Sequence, residues 1–288
     1  MLDRRIGAST LRFAVLGESL SHTWSPYIHN SLFLAASRDA VYLPVTIGRD
    51  RLSSAVDVLR SCFAGFNVTI PYKERILPLL DEVDDAVRAC GAVNTVENRE
   101  GKLIGHITDG LGMLSAIEKG GARTQSVRAL ILGAGGAARV AGYEFLARGG
   151  EVTFAARDAQ KAGQLCAELS ETQQDGQARI RICKLDSIPQ TAYDILINCT
   201  PVGMYPKTEE SPVTRDVVAQ CRAVFDAVYN PRTTRLLAMA REEGIPAIEG
   251  LGMLFHQAVE AQKFWFGPEI GVSEEAQLSI YRELSAAL

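Results

Sequence analysis

The stretch VRALILGAGGAA, residues 127–138, carries the strongest indication of the architecture. An apolar run of strand length, residues 127–132, passes directly into a glycine-rich turn, and helical spacing follows it. Gly133, Gly135 and Ala138 fit the pattern G-x-G-x-x-A, in which glycines permit a tight turn and let a pyrophosphate approach a helix N-terminus. The order of strand, turn and helix favours a dinucleotide-binding unit, although a purely structural tight turn uses glycines in the same way.

The next predicted strand, residues 152–156, bears on the choice of cofactor. NAD-binding units usually place an acidic residue at the end of this strand, where it holds the ribose hydroxyls. Here the strand ends Ala155-Ala156-Arg157, and Asp158 comes only afterwards. Because a guanidinium pairs well with a 2′-phosphate, Arg157 favours NADP over NAD. Two alternatives stay open, namely a solvated arginine at a strand end and a ribose contact from Asp158.

Strands and helices alternate along the rest of the chain. The apolar patterns predict further strands at residues 11–17, 41–47, 65–70, 92–96, 195–199 and 223–227, and helices at residues 52–59, 108–118, 253–266 and 274–288. This alternation predicts an α/β fold with mostly parallel sheets. On composition, the polar stretch at residues 120–125 is the best candidate for a junction between two domains.

The composition is that of a soluble globular protein. Of 288 residues, 47% are hydrophobic and 22% are charged, and the formal net charge is −4. Because there is no basic excess, nucleic acid is not an expected partner. No leader pattern and no apolar run of membrane-spanning length is present, so we expect a cytoplasmic protein that does not bind membranes. The six cysteines and four histidines show no metal-ligand spacing, and we expect reduced thiols and no metal.

Two charged residues stand where predicted elements end or begin. Lys73 closes the segment NVTIPYK, residues 67–73, in the loop that follows a predicted strand, and Asp109 lies at the start of a predicted helix. An ammonium and a carboxylate that face each other across a cleft form a proton-transfer pair. From spacing alone, a solvated lysine and a helix-capping aspartate are the more common outcome.

A cluster of hydroxyl groups follows the first predicted strand. Ser21, Thr23 and Ser25 precede a proline near the start of a helix, where hydroxyl donors and the helix dipole favour a bound carboxylate. A plain N-cap explains the same residues equally well.

Ordered blocks along the whole chain resemble the shikimate dehydrogenase family. These blocks are SHTWSPYIHN at residues 21–30, NVTIPYK at 67–73, GAVNT at 91–95, TDG at 108–110, GAGGA at 133–137, NCTPVGM at 198–204, DAVYNP at 226–231, and GLGML at 250–254 with Gln257. The resemblance implies reversible hydride transfer between NADP and the alcohol carbon of shikimate, with 3-dehydroshikimate as the oxidised partner, in the biosynthesis of chorismate and the aromatic amino acids. NAD is the alternative cofactor.

The same resemblance implies roles for individual residues. Lys73 is implied as the acid/base, and Asp109 as its partner and a substrate ligand. The substrate hydroxyls are assigned to Asn67, Thr69, Asn94 and Gln257, and the substrate carboxylate to Thr23, Ser25 and Tyr229. The cofactor is assigned to Gly133, Ala134, Gly135, Gly136, Ala137, Ala156, Arg157, Asp158, Thr200, Ala227 and Gly250.

The family architecture implies two domains. Residues 1–109 form a substrate-binding domain of α/β type, onto which residues 250–288 pack back as helices, and residues 110–249 form a Rossmann-type domain that binds NADP. The expected partners are a small-molecule substrate and, at most, a second copy of the chain, so the protein is a monomer or a homodimer.

Three positions depart from the family pattern. Thr23 stands where the family usually has serine, Ile107 stands where asparagine usually precedes Thr-Asp-Gly, and Ala156-Arg157-Asp158 replaces the usual Asn-Arg-Thr. Because of these three departures, two alternatives within the family stay open. One is a quinate/shikimate dehydrogenase, and the other is a paralogue that uses NAD or a related cyclic hydroxy acid. A metabolite sensor without turnover is a further alternative, against which Lys73 and Asp109 argue.

Overall fold

The computed structural model describes residues 6–172 and 179–287. The chain forms two compact units. Unit 1 extends to Thr108 and also contains Ala258–Ala287, and unit 2 comprises Asp109–Gln257. The C-terminal part of the chain returns to unit 1 from Ala258 and not from residue 250, and Asp109 belongs to unit 2.

Unit 1 is built on a mixed sheet of six strands. The strands are β1 (Leu11–Gly17), β2 (Ala40–Thr46), β3 (Gly65–Val68), β4 (Glu82–Val83), β5 (Thr95–Arg99) and β6 (Lys102–His106), and the helices before Thr108 are α1 (Ser25–Ala35), α2 (Leu52–Cys62) and α3 (Asp85–Cys90). The strand order is β2-β1-β3-β5-β6-β4. The pairs β1–β2, β1–β3 and β4–β6 are parallel, whereas β3–β5 and β5–β6 are antiparallel.

The antiparallel hairpin β5–β6 brings the start of β5 and the end of β6 to one edge of the sheet. Because β5 runs against β3, the start of β5 and the end of β6 lie at the edge where β1 and β3 finish. The prediction of one strand at residues 92–96 placed β5 about three residues early and missed β6. The hairpin closes at Glu100 and Gly101, both at positive φ, and Asn98 Oδ1 accepts a hydrogen bond from Gly101 N at 2.8 Å.

Unit 2 is built on a parallel sheet. In chain order its elements are α4 (Asp109–Lys119), β7 (Arg128–Leu132), α5 (Gly136–Ala147), β8 (Glu151–Ala156), α6 (Ala159–Thr172), β9 (Ile180–Lys184), β10 (Ile195–Asn198), α7 (Arg215–Val218), β11 (Val224–Asp226), α8 (Arg235–Glu242) and β12 (Ala247–Glu249). The strand order is β12-β11-β10-β7-β8-β9, and all five pairs are parallel. Counted from β7, this is the order 3-2-1-4-5-6 of the Rossmann fold. The α/β class is confirmed.

Strand β7 shows why its sequence is almost continuously apolar. Ala129 and Ile131 pack into the core on one face of the sheet, whereas Leu130 and Leu132 pack into the core on the other. Alternate side chains of a strand point to opposite faces, and both faces of this sheet are covered. The strand therefore positions the glycine turn from a rigid, buried base.

The last two helices complete the structure. Helix α9 (Leu251–Phe266) continues past Gln257 into unit 1, and helix α10 (Glu274–Ala287) belongs to unit 1. The Trp265 ring packs 4.6 Å from the Phe13 ring, centroid to centroid, and Trp265 Nε1 donates to Val96 O at 3.0 Å. A Cβ on Gly65 would lie 2.5 Å from Trp265 Nε1, so only glycine fits beside this indole.

Several predicted boundaries differ from the observed ones. The polar stretch at residues 120–125 lies inside unit 2, because the apolar face of α4 already belongs to that core through Met113, Leu114 and Ile117. The short strands β4, β9 and β12 and the helices α3, α6, α7 and α8 carry weaker periodicity and had no counterpart among the predicted elements. The final predicted helix extends to residue 288, which lies outside the described residues. Among the described residues, no helix has the length and apolar composition that crossing a membrane requires.

Candidate active site

A buried polar network occupies the edge of unit 1 where β1, β3 and β6 end. Tyr42 Oη donates to Asn67 Oδ1 at 2.7 Å, and Asn67 Nδ2 donates to Asn94 O at 3.0 Å and to Thr95 Oγ1 at 2.9 Å. Asn94 Nδ2 donates to Thr108 Oγ1 at 3.0 Å, and Asn94 Oδ1 accepts from Thr108 N at 2.7 Å. Asn67 and Asn94 are therefore brought together, with both amides held in one orientation.

Lys73 lies in the loop after β3, and the backbone on both sides of it is fixed. The buried side chain of Tyr72 donates to Ile47 O at 2.7 Å, and Val93 N donates to Lys73 O at 2.8 Å. The side chain of Lys73 is half-buried. The loop therefore presents an ammonium group from a rigid position at the network's edge of the sheet.

Thr23, Ser25 and Thr69 lie at the same edge but outside the hydrogen-bonded network of the described residues. Thr23 Oγ1 donates to Ser25 Oγ at 3.3 Å, and no side chain caps α1 at its N-cap residue, Trp24. Thr23 Oγ1 also accepts from Ser25 N, the first amide of α1, at 3.4 Å, so Thr23 satisfies one amide at the start of the helix although it is not the N-cap residue. The methyl of Thr69 lies 2.8 Å from the place of a Cβ on Gly17, which explains the glycine at the end of β1.

The glycine turn of unit 2 has the features of an anion site. Gly133 has φ +108°, and a Cβ there would lie 3.2 Å from Thr200 Cγ2. A Cβ on Gly135 or Gly136 would meet no atom within 4 Å, and no side chain caps α5. The first amides of α5 therefore face open space with the positive end of the helix dipole, an arrangement that fits the pyrophosphate of a dinucleotide.

Thr200 is fixed at the end of β10 by its neighbour Asn198. Asn198 Oδ1 accepts from Thr200 N at 3.0 Å and from Thr200 Oγ1 at 2.7 Å, and Thr200 Oγ1 accepts from Val202 N at 3.3 Å. The structure thus brings together two predicted cofactor residues, Gly133 and Thr200.

At the end of β8, Arg157 and Asp158 have different surroundings. Asp158 Oδ1 accepts from Lys161 N at 3.0 Å, so this carboxylate caps the start of α6. Arg157 is exposed, whereas Ala156 is buried. A second exposed cation, Lys184, pairs with Ala156 in the β8–β9 register. Because the carboxylate is engaged by the helix, these residues fit a 2′-phosphate better than a ribose diol.

Two glycines place α4 close to its neighbours in unit 2. A Cβ on Gly110 would lie 2.6 Å from Glu144 Cγ on α5, and a Cβ on Gly112 would lie 2.5 Å from Gln257 N on α9. Asp109 is the first residue of α4, and positions three apart share a helix face. The predicted substrate residues Asp109 and Gln257 therefore lie on the facing sides of α4 and α9.

The remaining predicted residues follow β11 and β12. Tyr229 is 38% exposed and comes three residues after the end of β11. Gly250 is buried, and a Cβ on it would lie 2.6 Å from both Ala227 O and Asp226 O. Close packing on β11 therefore accounts for the glycine at position 250.

Sequence reasoning assigned no role to Asp226. Its carboxylate has no exposed surface and accepts from Asn198 Nδ2 at 2.9 Å, Val228 N at 3.0 Å and Thr234 Oγ1 at 2.6 Å. Burial raises the pKa of Asp226 to about 6, while the three hydrogen bonds oppose the rise. The available signal was a single polar residue at the end of a buried strand, a pattern that Asn198 shares.

Within residues 6–172 and 179–287, no group of three or more His, Cys, Asp and Glu side chains is arranged to hold a metal ion. All six cysteines are free thiols.

Comparison with known proteins finds relatives along almost the whole chain. Residues 15–96 match the family described as shikimate dehydrogenase substrate binding domain. A shikimate dehydrogenase (NADP(+)) of Moorella thermoacetica is 37% identical over 272 residues, which cover 93% of this chain and 92% of that protein.

Two crystal structures are similar in both sequence and fold. One is a shikimate dehydrogenase in complex with NADP+, 34% identical with a TM-score of 0.88, and the match covers 99% of each chain. The other is a shikimate 5-dehydrogenase of Thermus thermophilus in complex with NADP(H) and shikimate. It is 32% identical with a TM-score of 0.83, and the match covers 95% of this chain and 99% of that one.

The close approach of α4 to α9 predicts that Gly112→Ala lowers the free energy of unfolding by about 1–3 kcal/mol, because the new methyl group overlaps the Gln257 backbone. Gly163→Ala is the matched control. Gly163 lies inside α6, and a Cβ there would meet no atom within 4 Å, so this change should raise stability by about 0.5–1 kcal/mol. Denaturant unfolding measures both variants, and a Gly112→Ala protein as stable as the wild type would contradict the packing.

Proposed function

The chain belongs to the shikimate dehydrogenase family, and from this premise we propose that it interconverts shikimate and 3-dehydroshikimate with NADP as its cofactor. One observation supports the proposal above all. The residues assigned to the cofactor end or follow strands of the parallel sheet in unit 2, and those assigned to the substrate in unit 1 cluster at one edge of its sheet. Ligands of α/β folds bind at such carboxyl edges.

The residues of unit 2 fit NADP. When bound, NADP supplies the hydride acceptor for the alcohol carbon of the substrate. We propose that the turn Gly133–Ala137 and the first amides of α5 hold the pyrophosphate, and that Arg157 pairs with the 2′-phosphate. Ala156, Thr200, Ala227 and Gly250 would line the same edge, and Asp158 contributes by capping α6.

Lys73 is proposed as the acid/base. Its Nζ would take the proton from the reacting hydroxyl oxygen during oxidation and return it to the carbonyl oxygen during reduction. Asp109 would orient the amine and accept a hydrogen bond from a neighbouring substrate hydroxyl. The rigid backbone around Lys73 supports this role, because proton transfer requires a donor and an acceptor at hydrogen-bond distance.

The proposed substrate ligands are residues of the predicted set, and each is assigned by the hydrogen-bonding atoms that it can offer. Both amide hydrogens of Asn67 are donated within the protein, and its Oδ1 accepts from Tyr42 Oη, so Asn67 offers the second lone pair of Oδ1 to a substrate hydroxyl. Thr69, Asn94 and Gln257 would complete the set for the ring hydroxyls. The hydroxyls of Thr23 and Ser25 would bind the carboxylate with Tyr229. An analogue that lacks one hydroxyl leaves a buried polar group unpaired and binds weakly.

We further propose a role in the biosynthesis of chorismate and the aromatic amino acids, in the cytoplasm, as a monomer or homodimer. Buried or half-buried free thiols at five of the six cysteines suit a reducing compartment.

Initial rates of the purified protein with shikimate and with quinate, each with NADP and with NAD, test the proposed activity. We expect the highest kcat/KM with shikimate and NADP. A preference for quinate or NAD would instead assign the paralogue, with Thr23 and Asp158 as the residues to exchange. Absence of turnover in all four mixtures, with thermal stabilisation by a ligand, would support a sensor.

Lys73→Ala should lower kcat by at least about a hundredfold, which is the usual contribution of a positioned acid/base, while NADP affinity is retained. Lys102→Ala is the control, since Lys102 is an exposed lysine of unit 1 paired with Glu82 at 2.6 Å. Steady-state rates and NADP titration give both quantities. A Lys73→Ala enzyme with near-normal kcat would remove Lys73 from the mechanism.

Arg157→Ala should raise the KM for NADP by at least about tenfold, the scale of a lost hydrogen bond to a charged group, and leave the KM for NAD unchanged. Arg181→Ala, an exposed arginine within the adjacent strand β9, should change neither. Equal weakening of NADP and NAD by Arg157→Ala would show that Arg157 does not read the phosphate.

A further inference from the structure

We propose that Asp226 is a positioning residue that holds the cofactor-binding loop after β10 and the substrate-binding loop after β11 in one arrangement. The inference rests on the proposed function for the roles of Thr200 and Tyr229. Its basis is the set of hydrogen bonds that one buried carboxylate makes to both loops.

The hydrogen bonds of Asp226 form two sets, which we call the cofactor arm and the substrate arm. The cofactor arm connects Asp226 with the loop after β10. Asp226 Oδ1 accepts from Asn198 Nδ2 at 2.9 Å, which fixes the orientation of the Asn198 amide. The oxygen of that amide then accepts from both the backbone N–H and the hydroxyl of Thr200. Because the Thr200 methyl lies 3.2 Å from the place of a Cβ on Gly133, the orientation of Asn198 affects the edge where the pyrophosphate would bind.

The substrate arm connects Asp226 with the loop after β11. Asp226 Oδ1 also accepts from Val228 N at 3.0 Å, and Val228 directly precedes Tyr229. Asp226 Oδ2 accepts from Thr234 Oγ1 at 2.6 Å, and Thr234 caps α8 by accepting from Leu237 N. The two oxygens therefore tie both ends of the loop that carries Tyr229.

The cost of this arrangement indicates that the carboxylate does more than fill space. Within the described residues, only neutral donors contact the buried Asp226 carboxylate. Burying a carboxylate without a cation is unfavourable unless hydrogen bonds compensate for it. An aliphatic side chain would pack at lower cost but could make none of these three hydrogen bonds to the two loops.

Asp226→Ala tests the proposal. We expect the KM for NADP and the KM for shikimate each to rise by at least about tenfold, the scale of a lost hydrogen bond to a charged group, with a smaller fall in kcat. Leu169→Ala, in the core of unit 2 on α6, is the control for lost stability, and both KM values should stay within about twofold of the wild type. Unchanged KM values in Asp226→Ala would overturn the proposal.

Asp226→Asn provides the conservative rescue. An asparagine keeps one oxygen for Asn198 and Val228 and donates to Thr234 Oγ1, so both KM values should return to within about threefold of the wild type. An asparagine variant as impaired as the alanine variant would overturn positioning by hydrogen bonds.

Two further variants separate the arms and serve if Asp226→Ala does not fold. Asn198→Ala cuts the cofactor arm and should raise the KM for NADP more than the KM for shikimate. Thr234→Val cuts the Oδ2 bond to the substrate loop and should show the opposite preference. The same ratio of KM changes in both variants would count against the two-arm arrangement.

Hydrogen exchange distinguishes failure of this inference from failure of the proposed function. If the wild type turns over neither shikimate nor quinate, the proposed function fails, and amide exchange at residues 199–204 and 227–234 then decides alone. Faster exchange of both segments in Asp226→Ala than in Leu169→Ala supports the positioning role. Equal exchange in the two variants overturns it.

Discussion

The requirement that buried polar groups find hydrogen-bond partners shapes the functional edge of each unit. In unit 1, Asn67 and Asn94 have almost no exposed surface, and each is tied to a neighbouring strand or to the segment after β6. An unpaired amide at such a position costs more free energy than an ordinary hydrogen bond contributes. The network therefore has one stable arrangement, and polar atoms that point out of this edge have fixed directions before any ligand arrives.

Unit 2 satisfies the same requirement with a buried charge and close helix packing. Asp226 gathers donors from the ends of β10, β11 and the start of α8, while Gly110 and Gly112 bring α4 against α5 and α9. The helices pack closely at both glycines, because a side chain at either position would overlap atoms of the neighbouring helix. The parallel sheet places the phosphate turn, and these contacts place the loops around it.

Local patterns predicted the part of the fold that local interactions determine. The run from β7 through the glycine turn to α5 appears in the sequence as an apolar strand, turn residues and helical spacing, and the structure confirms all three. The hairpin β5–β6 was missed because β6, LIGH after Lys102, is too short and too buried to show alternation. The contacts of Asn198 with Asp226, like the capping of α6 by Asp158, depend on pairing and on backbone geometry that spacing alone does not reveal.

The departure at Ile107 shows how a network can absorb a change beside it. An asparagine at this position would be a polar group next to Thr108 and Asp109, and its replacement by isoleucine would be costly if the network depended on it. In this chain Asn94 already accepts from the Thr108 amide and donates to the Thr108 hydroxyl, so neither group of Thr108 needs a partner at position 107. The isoleucine side chain is 3% exposed and contributes apolar burial instead. The substitution therefore changes the packing behind the polar edge and leaves the hydrogen bonds between Asn94 and Thr108 in place.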